Sequence, residues 1–112
     1  MFKKEWGIET YWGCVRDSYV AKTLQIDMKN NLPELCHDSI EKTIYITRGI
    51  LNLELNDAHS MIKKEIGLGP GKSYHIQSGL RHTYSARNGD VCFVEVLSYC
   101  ETEKNKARNI SE

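Results

Sequence analysis

Gly71-Lys72-Ser73-Tyr74-His75-Ile76-Gln77-Ser78-Gly79-Leu80-Arg81-His82-Thr83-Tyr84-Ser85-Ala86 has the pattern of two short strands around a tight turn. In an extended chain successive side chains point to opposite faces. Tyr74 and Ile76 therefore share one face of the first strand, while Ser73, His75 and Gln77 share the other. Gly79 supplies the backbone freedom of a sharp reversal, because a residue with a Cβ resists positive φ. His82 then opens the second strand. Parity sets His75 on the outer face; the reverse parity would turn it inward.

The segments around this stretch carry the same period. Downstream, Asn88-Gly89 is a strong hairpin signal and leads into an apolar run over residues 91–97. Upstream, residues 43–47 form a β-rich run with Ile44 and Ile46 on one face, broken at Arg48-Gly49. Leu51, Leu53 and Leu55 follow on alternate positions, which predicts a hairpin with Gly49 in its turn. Residues 56–60 read as a polar turn, 61–66 as a further strand and 67–71 as another turn. Residues 19–28 predict a strand with Val20, Leu24, Ile26 and Met28 on one parity. Lys22 falls on that same parity, where a cation is out of keeping with a core. Residues 29–33 form a loop ending at Pro33. Before residue 19 come Trp6, Tyr11 and Trp12 with two glycines, read as an irregular arm or edge strand that rests its rings on a barrel end or a dimer seam. No long segment has helical periodicity, and short strands at close spacing predict an all-β sandwich or barrel.

A chain of 112 residues holds one core. The division this predicts is an arm over 1–18, a barrel over 19–98 and a polar tail over 99–112. The formal net charge is zero, which gives no attraction to nucleic acid or to an anionic membrane. No run has the apolar length of a transmembrane helix, and the first residues lack a signal peptide's apolar centre. Cys14, Cys36, Cys92 and Cys100 form no Cys-x-x-Cys pair, so reduced thiols in a cytoplasmic protein are expected.

Gly71, Gly79 and His82 stand at the spacing of the second cupin motif, which the stretch resembles. Gln77 replaces that motif's proline, and Ala86 its closing asparagine. Anchoring the first cupin motif on Gly49 puts Lys42 at its glutamate, His37 at its second histidine and Leu35 at its first. From Trp6 to Leu97 the order of features is similar to cupins like the C-terminal domain of type II mannose-6-phosphate isomerases. These features are an early Trp-Gly, the Lys22-Thr23-Leu24 strand, both motifs and the Val94-Glu95-Val96 strand. The resemblance implies a cupin-type antiparallel β-barrel, a jelly roll, with a metal site inside.

Of the four ligand positions so implied, His37 and His82 are kept, and Leu35 and Lys42 do not ligate divalent ions. Two imidazoles alone hold a metal poorly. Glu41 is one residue from the missing glutamate, and a β-bulge before Thr43 would turn it inward and Lys42 outward. Without a bulge, Lys42 shares parity with Ile44 and Ile46 and enters the barrel, where its ammonium can meet an anion. The metal candidates are thus His37, His82 and Glu41, for a divalent ion (Zn, Mn, Fe or Ni) expected to be weakly held or absent. Lys22, Lys42 and Arg81 are the candidate ligand-binding cations, and Glu95 with His82 the candidate proton carriers. Alternation leaves the direction of Glu95 open, because both faces of residues 91–97 are apolar. The expected function is that of a small-molecule cupin in carbohydrate metabolism, a sugar-phosphate isomerase if it is an enzyme. The competing readings are a binding module for a small anion and a structural homodimer with a plugged cavity. A homodimer is expected in any case, to cover the aromatic arm and the open strand edges.

Overall fold

The computed structural model describes residues 1–16, 18–33, 40–56 and 63–99. Among these are nine strands: β1 (Phe2–Lys4), β2 (Gly7–Val15), β3 (Tyr19–Ile26), β4 (Ile40–Arg48), β5 (Leu51–Asn56), β6 (Lys63–Leu68), β7 (Ser73–Ile76), β8 (Arg81–Ser85) and β9 (Val91–Tyr99). Every pairing is antiparallel. The strands form a large sheet, β1-β2-β3-β9-β4-β7, and a small one, β6-β5-β8. The all-β expectation holds.

Alternation explains how the sheets close on each other. Leu24 and Ile26 of β3, Ile44 and Ile46 of β4, and Val91 and Phe93 of β9 are buried on the inner face of the large sheet. Leu51, Leu53 and Leu55 of β5 and Tyr84 of β8 meet them from the small one. These side chains form one continuous core. Burying an aliphatic side chain stabilises by roughly 1.5–3 kcal/mol, which is what holds two sheets of unequal size face to face.

The predicted hairpins are corrected. β4 lies in the large sheet and β5 in the small one, so Arg48-Gly49 carries the chain across the barrel rather than joining paired neighbours. Asn88-Gly89 likewise leads from β8 in the small sheet to β9 in the large one. The turn at Gly79 makes the same kind of crossing between β7 and β8. Gly49 has φ +80°, and a Cβ there would lie 2.3 Å from the Asp90 carbonyl oxygen. The two crossings thus press together at one end of the barrel. Asp90 also accepts the Met28 backbone N–H through Oδ1 at 2.7 Å.

Other boundaries shift as well. Residues 7–15 are regular strand, paired with β3 from Gly7↔Ile26 to Val15↔Tyr19 across a bulge between Tyr11 and Gly13. β1 supplies the edge. Trp6 packs on the core instead of offering surface, whereas Tyr11 and Trp12 are exposed. Met28, placed inward by parity, lies past the end of β3 and is exposed. β6 continues through Gly67 to Leu68, two residues beyond the predicted strand. Among the described residues no helix is long and apolar enough to cross a membrane.

Candidate functional site

The inner face of the large sheet carries a row of charges. Glu9, Lys22, Glu95 and Lys42 come from four adjacent strands, β2, β3, β9 and β4. Register makes the row. Lys22 is directly opposite Glu95, and Glu95 is opposite Ile44, one inward position along β4 from Lys42. Glu9 is opposite Leu24 and so diagonal to Lys22. Opposite charges on facing or diagonal positions of one face attract.

The side chains use this alternation. Lys22 Nζ lies 3.3 Å from Glu9 Oε2 and 3.4 Å from Glu95 Oε1. Lys42 Nζ lies 3.7 Å from Glu95 Oε2. Exposure falls along the row: the Lys22 and Glu9 side chains are 14% and 11% exposed, those of Lys42 and Glu95 2% and 1%. From the small sheet, the Tyr84 hydroxyl donates to Glu95 Oε2 at 2.5 Å. The Tyr84 ring packs edge-on against Phe93, with centroids 5.0 Å apart. The His82 ring is 5.5 Å from that of Tyr84, and its Nδ1 is 3.0 Å from the Leu80 carbonyl oxygen. A carbonyl only accepts, so Nδ1 carries the proton.

The two lysines respond differently to their settings. Burial pushes the Lys42 amine below its ordinary 10.5, the nearby Lys22 charge adds to that, and Glu95 opposes it without prevailing. For Lys22 burial is again the largest single influence and acts downward. Glu95 and Glu9 together outweigh it, so the Lys22 amine rises. Burial drives the Tyr84 phenol well above 10.0, and the Glu95 charge beside it acts the same way. At the rim, hydrogen bonding to Glu9 lifts the Tyr11 phenol, with burial adding to it.

The structure thus brings Lys22, Lys42, Glu95 and His82 into the interior, and puts other candidates elsewhere. Arg81 alternates with His82 and is exposed, away from the interior. Glu41 faces outward and pairs with His75 Nε2 at 3.2 Å, while the Thr43 hydroxyl is 3.1 Å from His75 Nδ1. The irregularity in β4 falls between Ile46 and Arg48, not before Thr43, so Lys42 keeps the inward parity. His37 and Leu35 lie outside the described residues. Sequence reasoning missed Glu9 and Tyr84. Tyr84 is two residues from His82 and so on the same face, a signal that was present. Glu9 was hidden by reading the stretch around it as an irregular arm or edge strand, with no inward face assigned to it.

These residues do not suit a divalent ion. Among the described residues no group of three His, Cys, Asp or Glu side chains could hold a metal. Glu95, the carboxylate deepest in the interior, already faces the amino groups of two lysines. A cation placed there would be repelled by the Lys22 charge and would compete with both amines for the same carboxylate. Outside the small sheet lies an open cleft of about 280 Å³, lined by Lys29, Asn30, Glu54, Thr83, Ser85 and Arg87 among others. None of the sequence candidates borders it.

No family model matches the sequence, and no curated protein does. Solved structures do match the fold. KdgF from Halomonas sp. superposes with a TM-score of 0.74 at 14% identity, covering 92% of this chain and 89% of its own. The cupin domain of Schizosaccharomyces pombe Cnp3 gives 0.75 at 12% identity, covering 90% of this chain and 69% of that one. The capsular polysaccharide assembling protein CapF from Staphylococcus aureus gives 0.80 at 11% identity, over 88% of this chain and 28% of its own. At such identities the likeness is one of fold, and it agrees with the two-sheet topology and the inward-facing His82: the chain folds as a cupin.

Proposed function

We propose that this protein is a small-molecule cupin that binds a small, polar, sugar-derived ligand at the Lys22–Glu95–Lys42 row without a divalent metal. The observation that carries the reading is the row itself. Charged side chains at the heart of a core are costly unless they are held for a purpose or fully paired. Lys42 faces its carboxylate at 3.7 Å, longer than the roughly 3 Å of a good hydrogen bond. Its amino group therefore has hydrogen-bonding capacity left for a hydroxyl, carbonyl or anionic oxygen of a ligand. Ammonium donors beside a carboxylate acceptor suit a polyhydroxylated molecule, and the Staphylococcus aureus neighbour is a polysaccharide-assembling protein. Should the bound molecule be turned over as a sugar-phosphate isomerase would do it, Lys42 polarises its carbonyl and Glu95 carries the proton between neighbouring carbons. The protein is proposed to act as a homodimer in the cytoplasm, and the free thiols of Cys14 and Cys92 accord with that compartment.

The test is calorimetric titration of aldose phosphates, ketose phosphates and sugar acids into EDTA-treated protein. Saturable binding is expected for one class, weakened about tenfold or more in Lys42→Met, the loss that follows from removing a charged hydrogen bond. No binding by any class would favour the plugged interior. Binding that requires added metal and disappears in His82→Ala would restore the metal reading.

A further inference from the structure

We propose that Lys42 is an imine-forming lysine, and that the interior takes a small aldehyde or ketone, such as an open-chain sugar, whose carbonyl carbon its Nζ attacks. The inference rests on the ligand-binding reading above and goes further, naming the reacting atom and the class of substrate.

Three geometric facts support it. First, Lys42 is the deeper of the two interior lysines, and burial favours a neutral amine, the form with a free electron pair. Second, the carboxylate it faces is shared. Glu95 also accepts from Tyr84 and faces Lys22, so its charge is divided among three groups. Lys22 has a second carboxylate besides Glu95, that of Glu9 at 3.3 Å, and stays an ammonium. That leaves one interior lysine fixed as a cation and the other available as a nucleophile. Third, Glu95 Oε2 lies near both Lys42 Nζ and the Tyr84 hydroxyl, so one oxygen can take a proton from the nitrogen and exchange it with the phenol. The falling exposure from Glu9 and Lys22 to Glu95 and Lys42 gives the direction of approach, from the rim inward.

The chemistry balances without a further reactant. The neutral Nζ forms a bond to the carbonyl carbon as the C=O π bond opens, and one of the two amine protons passes by way of Glu95 to the carbonyl oxygen to give a carbinolamine. The nitrogen gives up its remaining proton to Glu95, which delivers it to the hydroxyl as the carbon–oxygen bond breaks. One water leaves, the C=N bond forms, and nothing is oxidised or reduced. Lys22, a fixed ammonium at the more exposed end of the row, offers a hydrogen bond to an oxygen elsewhere on the substrate, which orients the carbonyl toward Lys42.

The experiment is reductive trapping. The full chain is incubated with glycolaldehyde at neutral pH, reduced with cyanoborohydride and mapped by peptide mass spectrometry. Lys42 is expected to acquire the hydroxyethyl adduct about tenfold or more faster than the exposed Lys63 and Lys64, because a buried amine is more readily neutral than a solvated one. The adduct is expected to vanish in Lys42→Arg. It is expected to form more slowly in Tyr84→Phe, which keeps the ring against Phe93 and removes only the hydroxyl. Equal labelling of all lysines, or none at Lys42, overturns the proposal. A parallel titration with glycerol 3-phosphate, which has no carbonyl, separates the two readings. Binding of that compound without a Lys42 adduct overturns the imine and leaves the ligand-binding reading standing, whereas absence of both overturns both.

Discussion

Glu95 and Lys42 are neighbours in one charge row, yet their removal is expected to have opposite consequences. Glu95→Gln leaves the Lys22 ammonium and the buried Lys42 amine facing a neutral amide, and breaking a buried pair in this way costs about 3–5 kcal/mol. Lys42→Met removes the least well-paired charge while Lys22 and Tyr84 still serve Glu95, so its stability should lie within about 1 kcal/mol of the parent or above it. Urea unfolding of both variants checks this; a Lys42→Met protein as damaged as Glu95→Gln would show that the lysine is fully paired. The pH dependence has a definite sign. The Lys42 amine is lowered in the folded chain, so the unfolded chain holds that proton more tightly. The resulting destabilisation is fully present below the lowered folded value and fades as pH rises from there to 10.5. Any stability advantage of Lys42→Met should therefore shrink across that window. Lys22 is raised and behaves oppositely: its contribution is intact below 10.5 and is lost as pH passes through the raised folded value. Parity alone placed Lys42 and Lys22 inward, because each alternates with Ile or Leu. It failed at Glu95, since Val94 and Val96 on the outer face are half-buried and mask the alternation of Val91, Phe93 and Glu95.

At the level of elements, the turns were legible and their destinations were not. Gly49, Gly79 and Asn88-Gly89 do reverse the chain where the sequence said, but each delivers it to the opposite sheet. A turn signal is local, whereas the sheet that a strand joins is settled by pairing with residues far away in sequence. β4 pairs with β9 and β7, and β5 with β6 and β8. The fold as a whole was readable because both cupin motif frames rest on glycines whose backbone requirement the structure bears out: Gly49, Gly71 and Gly79 have φ between +80° and +85°. The glycines differ in what surrounds them. A Cβ at Gly79 meets open space, whereas one at Gly49 strikes the Asp90 carbonyl. Gly79→Ala should thus cost about 1–2 kcal/mol from the left-handed backbone alone, and Gly49→Ala clearly more. Thermal unfolding of the two variants gives the comparison, and equal losses would mean that the crossings do not press on each other as described.

For the whole molecule, the hairpin of β1 and β2 offers the surface on which the proposed homodimer depends. Phe2, Tyr11, Trp12 and Val15 are all about half-exposed or more, and Phe2 stacks edge-on against Tyr11. β1 also ends the large sheet with an unpaired edge among the described strands. Sedimentation is expected to show a dimer that Trp12→Arg weakens; a monomer at high concentration would rule the dimer out. The topology of that sheet has a further consequence, for the order of events during synthesis. β9 is the last described strand, yet it sits between β3 and β4, which are made early. The small sheet can assemble while translation continues. The large one has to keep a gap open for a strand still inside the ribosome, and β3 and β4 stay unsatisfied along facing edges until it emerges. Direct pairing of those two edges would exclude β9 and scatter the charge row, because Glu95 is the member that bridges the two lysines. The last described strand is therefore both the keystone of the sheet and the carrier of the site, so a chain that folds too soon forfeits its function along with its fold.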